Sequence, residues 1–149
     1  MNQYTQLKDK HHKMYNEFPF GVAFNNEQFV EMMEKWGLTP KDTDKIYKGP
    51  ISGIFYQRKD AQRLKEMLDL MDKEEKEAIA SDTTGEGYIY DMFRHELSNH
   101  EYCITFDLTD TLRACGLTIE EINSNPLLLH GLQKAKKDYL ADMREAGWY

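Results

Sequence analysis

Residues 85–106, GEGYIYDMFRHELSNHEYCITF, decide how this chain folds. Wound as a helix, the stretch puts Ile89, Phe93 and Leu97 on one line, four residues apart. That apolar line is what a buried helix face requires. Asp91, His95 and Asn99 fall on a second line, and Met92, Glu96 and His100 on a third. The end of the stretch, YCITF at 102–106, reads differently. Its alternating, β-prone residues predict a short strand with Cys103 as a small buried occupant.

Working outward, the same periodicity predicts more helices. Residues 59–80 carry Ala61, Leu64, Met67, Leu68, Met71, Ala78 and Ile79 on one face, with mixed charges opposite. Downstream, Asp107 or Thr109 opens a short helix that stops at Gly116. Asn125-Pro126 then caps a last helix whose stripe is Leu128, Leu132, Ala135, Tyr139, Met143 and Ala146, closed by Gly147. Upstream, residues 2–17 align Tyr4, Leu7, His11, Met14 and Phe18. Asn25 or Asn26 caps a helix bearing Phe29, Val30, Met33 and Trp36. FGVAF at 20–24 and ISGIFY at 51–56 predict strands. Trp36-Gly37-Leu38-Thr39 and Cys115-Gly116-Leu117-Thr118 echo one another. Each ends a helix on glycine and restarts with a threonine cap and an acid three residues on, Asp42 or Glu121. With no linker-like tract, the expected architecture is α+β: a mostly helical single domain of about five helices with a small two- or three-stranded sheet.

The 149 residues are 40% hydrophobic and 30% charged, which excludes a disordered or low-complexity chain. Apolar runs are far too short for a membrane span. The polar N-terminus has no signal-peptide core, so cytoplasmic residence and reduced, unbridged Cys103 and Cys115 are expected. Net charge is −7, and residues 82–110 hold seven acids (Asp82, Glu86, Asp91, Glu96, Glu101, Asp107, Asp110) against Arg94. The basic run Lys134, Lys136, Lys137 sits among Asp138, Asp142 and Glu145 and reads as a solvated helix face. A nucleic-acid binder shows the opposite pattern, so no direct nucleic-acid partner is expected.

Three chemistries can be tested on residues 85–106. His95-Glu96-Leu97-Ser98-Asn99-His100 approaches H-E-x-x-H but has asparagine in place of the second histidine. His100 therefore lies off the His95 face. Glu96 and His100 alone are spaced to share a metal, with any third ligand (His11, His12, His130 or Asp107) brought from elsewhere. A Cys103 nucleophile beside His95 or His100 is disfavoured by the surrounding acids. The two glycines lack the lysine of a phosphate loop, and Asp82 and Glu86 already serve that helix terminus. No cofactor is expected. A partner-binding surface remains, built from Glu86, Tyr88, Tyr90, Asp91, Arg94, His95, Asn99, Glu101 and Tyr102. Tyrosine and arginine anchor interfaces, and the acids steer a basic partner.

FNNEQFVEMMEKWGL, TGEGYIYDMFRHELSNHEYCITFDL and LLLHGLQKA together resemble a family of small uncharacterised proteins carried by phages and integrated mobile elements of Firmicutes. The resemblance covers about residues 18–139. It implies an accessory gene product acting in the bacterial cytoplasm. In that setting the expected function is a non-enzymatic inhibitor that binds the basic surface of a host defence nuclease, in the manner of an anti-CRISPR protein. The competing expectations are a small metal-dependent hydrolytic enzyme using Glu96, His100 and Asp91, and a structural or regulatory protein that forms a homodimer through its terminal helices.

Overall fold

The computed structural model describes residues 2–149. The class is α+β and mostly helical, with eight α-helices and one three-stranded antiparallel sheet among the described residues. Contacts divide the chain into two compact units. A helical unit comprises residues up to Lys10 with Lys73–Tyr149, and a sheet unit comprises His11–Asp72. Both boundaries fall inside continuous helices, α1 (Gln3–Glu17) and α3 (Ala61–Ser81). This is why no linker composition marks them.

In the sheet unit, β1 (Gly21–Val22) and β2 (Ile46–Lys48) flank β3 (Ile54–Gln57). Gly21 faces Phe55, and Tyr47 faces Tyr56. α2 (Asn26–Lys35) starts at Asn25, whose side chain accepts the Gln28 N–H, and buries Met32 and Met33 against Trp36, Ile46 and Phe55. The expected face was partly misplaced, because Val30 is exposed and Met32 takes its place inside. Leu68 of α3 is likewise exposed, while Leu64 and Met71 are buried. The strand predicted at 51–56 is shifted: Ile51–Gly53 form the turn of a β2–β3 hairpin.

The echoed turns are real, and their outcomes differ. Gly37 and Gly116 take left-handed φ of 72° and 68°. Each is followed by the long closing bond of a helix C-terminus, Leu38 N–H to Met33 O (2.8 Å) and Leu117 N–H to Leu112 O (3.1 Å). Thr118 and Glu121 then cap each other reciprocally and start α7 (Ile119–Asn123). Thr39 and Asp42 make the corresponding bond at 2.8 Å, yet no α-helix follows. A single 3-10 turn leads into β2 instead, because Ile46–Lys48 pairs with β3 and that pairing overrides the local start signal.

The helical unit is organised around α4 (Tyr88–Asn99), which packs chiefly on α8 (Pro126–Glu145) and also on α6 (Thr109–Cys115). Ile89, Phe93 and Leu97 are fully buried, as their spacing requires. Leu128, Leu132, Ala135 and Tyr139 of α8 meet them in one core with Tyr4, Met92 and Ile122. Upstream of α4, the buried carboxylate of Asp82 accepts the N–H groups of Thr84 (3.0 Å), Gly85 (2.8 Å), Gly87 (3.0 Å) and Ile89 (3.0 Å).

The predicted strand at 102–106 is instead a one-turn helix, α5 (Tyr102–Thr105). A strand would place Tyr102, Ile104 and Phe106 on one side. Here Tyr102 and Cys103 are buried (7% and 5% exposed), while Ile104 and Phe106 are out (56% and 54%). The reason is backbone geometry: Glu101 and Phe106 both adopt left-handed φ, 51° and 53°, and turn the chain on either side of α5. Left-handed conformation costs a non-glycine residue roughly 1–2 kcal/mol. Glycine relieves that strain and loses roughly 0.5–1 kcal/mol to chain entropy. Glu101→Gly is therefore expected to raise stability by about 0.5 kcal/mol in a urea melt. A loss of stability would show that the Glu101 side chain holds the turn.

Candidate interaction surface

Of the nine residues expected to form a partner-binding face, two are corrected outright. Tyr88 and Tyr102 are buried in the helical core. Tyr88 lies edge-on to Tyr4 at 5.7 Å, and Tyr102 contacts the rings of Tyr139 and Phe106. Four more are tied to neighbours within the unit. The Tyr90 hydroxyl donates to Asp138 at 2.8 Å, and Lys134 sits 4.6 Å from the Tyr90 ring centre. The Asp138 carboxyl is held below the ordinary range by the Tyr90 and Lys134 hydrogen bonds. Arg94 pairs with Asp142 and lies over the Tyr139 ring at 5.6 Å. Glu86 meets His130 at 3.0 Å and Lys134 at 3.8 Å. Asp91 accepts the Gln3 backbone N–H at 3.0 Å. These contacts fasten α4 to its surroundings, chiefly α8. The exposed remainder is His95, Asn99 and Glu101, running towards α5.

The other acids of residues 82–110 also have local duties. Asp82 caps the turn before α4, Asp107 accepts the Thr109 N–H at 2.9 Å, and Asp110 meets Arg113 at 3.3 Å. The acidity of the helical unit still stands as a field. It holds 16 of the 26 acids and 10 of the 19 bases, a net of −6, which leaves −1 for the sheet unit.

Glu96 and His100 are neighbours, as their spacing requires, with the Glu96 side chain inside. Glu96 is buried, with its oxygens 3.6 Å from His95 Nε2 and 4.0 Å from His100 Nδ1. His100 Nδ1 lies 2.9 Å from the Glu96 carbonyl oxygen, closing the last turn of α4. The Tyr4 hydroxyl is close enough for the Glu96 charge to join burial in raising its pKa, but lies outside hydrogen-bond geometry. Asp91 points to another side of α4, so the three residues of the enzymatic alternative are not brought together. His130 is engaged with Glu86 and Asp107 with Thr109. Among the described residues no three His, Cys, Asp or Glu side chains are grouped to hold a metal ion. Both cysteines are free thiols. Burial, followed by the Glu96 charge, pushes Cys115 up to about 12, so it is protonated at neutral pH.

The surface that sequence reasoning missed lies immediately beyond Glu101. Ile104 and Phe106 project outward from α5 and its C-cap, and the Phe106 ring meets Tyr149 edge-on at 5.8 Å. The adjoining Trp148 is 62% exposed. Exposed aromatic and apolar side chains of this kind are the usual anchors of interaction sites. The one sequence signal for this surface is the run of apolar residues in YCITF, which is too short for its period to separate a strand from a helical turn.

The chain belongs to the family of unknown function DUF7659, whose profile matches residues 3–138. No curated protein and no solved structure matches it.

Proposed function

We propose that this DUF7659 member is a non-enzymatic, protein-binding inhibitor, encoded by a phage or mobile element, that blocks a CRISPR-type or other defence nuclease in the bacterial host cytoplasm. The observation that carries the reading is the exposed Ile104, Phe106 and Tyr149 surface beside Glu101 and Asp107, on the unit that holds most of the negative charge. Apolar and aromatic anchors supply most binding energy at interfaces, and an acidic field raises the on-rate towards a basic nucleic-acid-binding surface. The left-handed Glu101 and Phe106 support it further, since strain of this kind persists where surrounding structure and function require the geometry. The genomic setting implied by the resemblance selects the class of partner.

The test is target cleavage by a panel of purified CRISPR and restriction nucleases, with and without the protein. Near-stoichiometric inhibition of at least one nuclease is expected. Phe106→Gly removes an anchor and relaxes the left-handed strain. It should weaken inhibition about tenfold or more while the melting temperature stays within about 4 °C. Glu101→Lys should weaken it more at low salt than at high salt. Unimpaired cleavage across the panel, with no defence protein retained in a pull-down, overturns the proposal.

A further inference from the structure

The sheet unit exposes its two most solvent-accessible large apolar side chains at one place: Phe24 (70%) and Ile51 (69%). Phe24 is not a loose loop residue. Its backbone N–H donates to Gln28 Oε1 at 2.8 Å. Its ring lies so close over Gly53 that a Cβ there would come within 2.2 Å of Phe24 Cε1. Gly53 also has a φ of +86°, which disfavours any side chain on that seat. The ring is thus seated on this glycine and largely exposed. Beside it the β2–β3 hairpin turn forms a cavity of about 280 Å³, lined by Ala23, Phe24, Lys48, Ile51, Gly53 and neighbouring backbone. Lys48 is the one charged residue in that lining, and its side chain has no ion pair or hydrogen bond among the described residues.

We infer that this cavity is a docking site for an acidic, apolar segment of a partner protein. An apolar side chain fills the space between Phe24, Ile51 and Gly53, and a neighbouring carboxylate meets Lys48 Nζ. The site belongs to the sheet unit, and the inference does not depend on the acidic surface discussed above. Its chemistry is opposite in sign: a lone cation in an apolar frame, on the unit that carries little net charge.

The test is a titration of the ¹⁵N-labelled protein with Ac-Glu-Leu-Phe-Glu-NH₂ and, separately, with its neutral counterpart Ac-Gln-Leu-Phe-Gln-NH₂. The acidic peptide is expected to shift the backbone amide signals of Phe24, Gly49, Ser52 and Gly53. It should bind about three- to fivefold more tightly than the neutral peptide, the range of one exposed ion pair. Lys48→Gln, at an exposed strand position, should remove that preference. Phe24→Ser should abolish binding of both peptides while leaving the rest of the spectrum in place. No shift at this site, shifts confined to another surface, or equal affinity for the two peptides in the unaltered protein would each overturn the inference.

Discussion

Asp82→Ala is expected to cost about 3 kcal/mol of unfolding free energy, measured by chemical denaturation at neutral pH. Four backbone N–H groups converge on this one buried carboxylate, and the Thr84 hydroxyl donates to it at 3.3 Å. Hydrogen bonds to a charged group contribute about 1.5–3 kcal/mol each, and a buried donor left without a partner costs about 1–3 kcal/mol. The total is held down because water reaches part of the opened turn. Asp82→Asn keeps the shape and one acceptor oxygen, so it should cost about 2 kcal/mol. Burial works to raise the pKa of Asp82, and the backbone donors outweigh it, so the folded-state pKa is lowered. A lowered folded-state value means the stabilisation is fully present above the unfolded aspartate pKa of about 3.9 and is lost as pH falls through the folded value. The unaltered protein should therefore lose stability below about pH 4 more steeply than Asp82→Ala does. Parallel acid limbs for the two proteins would show that the turn is held by something other than the charge.

Gly131→Ala should destabilise by about 2–3 kcal/mol, although alanine is the better helix former by about 1 kcal/mol. Gly131 lies in the second turn of α8, against Ile89 of α4 and the turn that precedes α4. A Cβ there would stand 2.4 Å from Ile89 Cγ2 and 2.6 Å from the Gly85 carbonyl oxygen. The Ile89 methyl can be removed, but the backbone oxygen cannot move without shifting the turn that Asp82 holds. The Ile89→Ala/Gly131→Ala double variant should therefore recover only part of the packing loss, read as a coupling energy in a double-mutant cycle. A neutral or stabilising Gly131→Ala would mean that α4 and α8 separate at little cost, and the core would need to be redrawn there.

The helices were legible because each buries a stripe that recurs at the helical period. Ile89, Phe93 and Leu97 on α4, and Leu128, Leu132, Ala135 and Tyr139 on α8, are inside where their spacing puts them. Caps were legible for the same local reason: Asn25, Thr118 and Asn125 each accept the N–H groups that a helix start leaves open. Short segments were not legible. YCITF and the residues after Pro40 hold too few residues for periodicity to choose, so the choice falls to whatever the rest of the chain offers them. Ile46–Lys48 finds a strand to pair with, whereas Tyr102–Thr105 has none and coils between two left-handed residues.

The candidate site divides along the same line. The charges of residues 82–110 and the tyrosines were visible in the sequence. Which of them face out was not visible, because α4 is covered over much of its circumference. Glu96 and Tyr88 look like surface residues by type and are interior by position. Ile104 and Phe106 look like core residues by type and are exposed. By itself the sequence determined the helical class, the caps at Asn25, Thr118 and Asn125, and the buried lines of α4 and the first part of α8, since these depend on interactions within a turn or two. Only the tertiary structure decided which acids are spent on capping and pairing and which apolar side chains remain in water. That outcome depends on contacts between residues far apart in the chain, such as Tyr90 with Asp138 and Phe106 with Tyr149, and no local period encodes them.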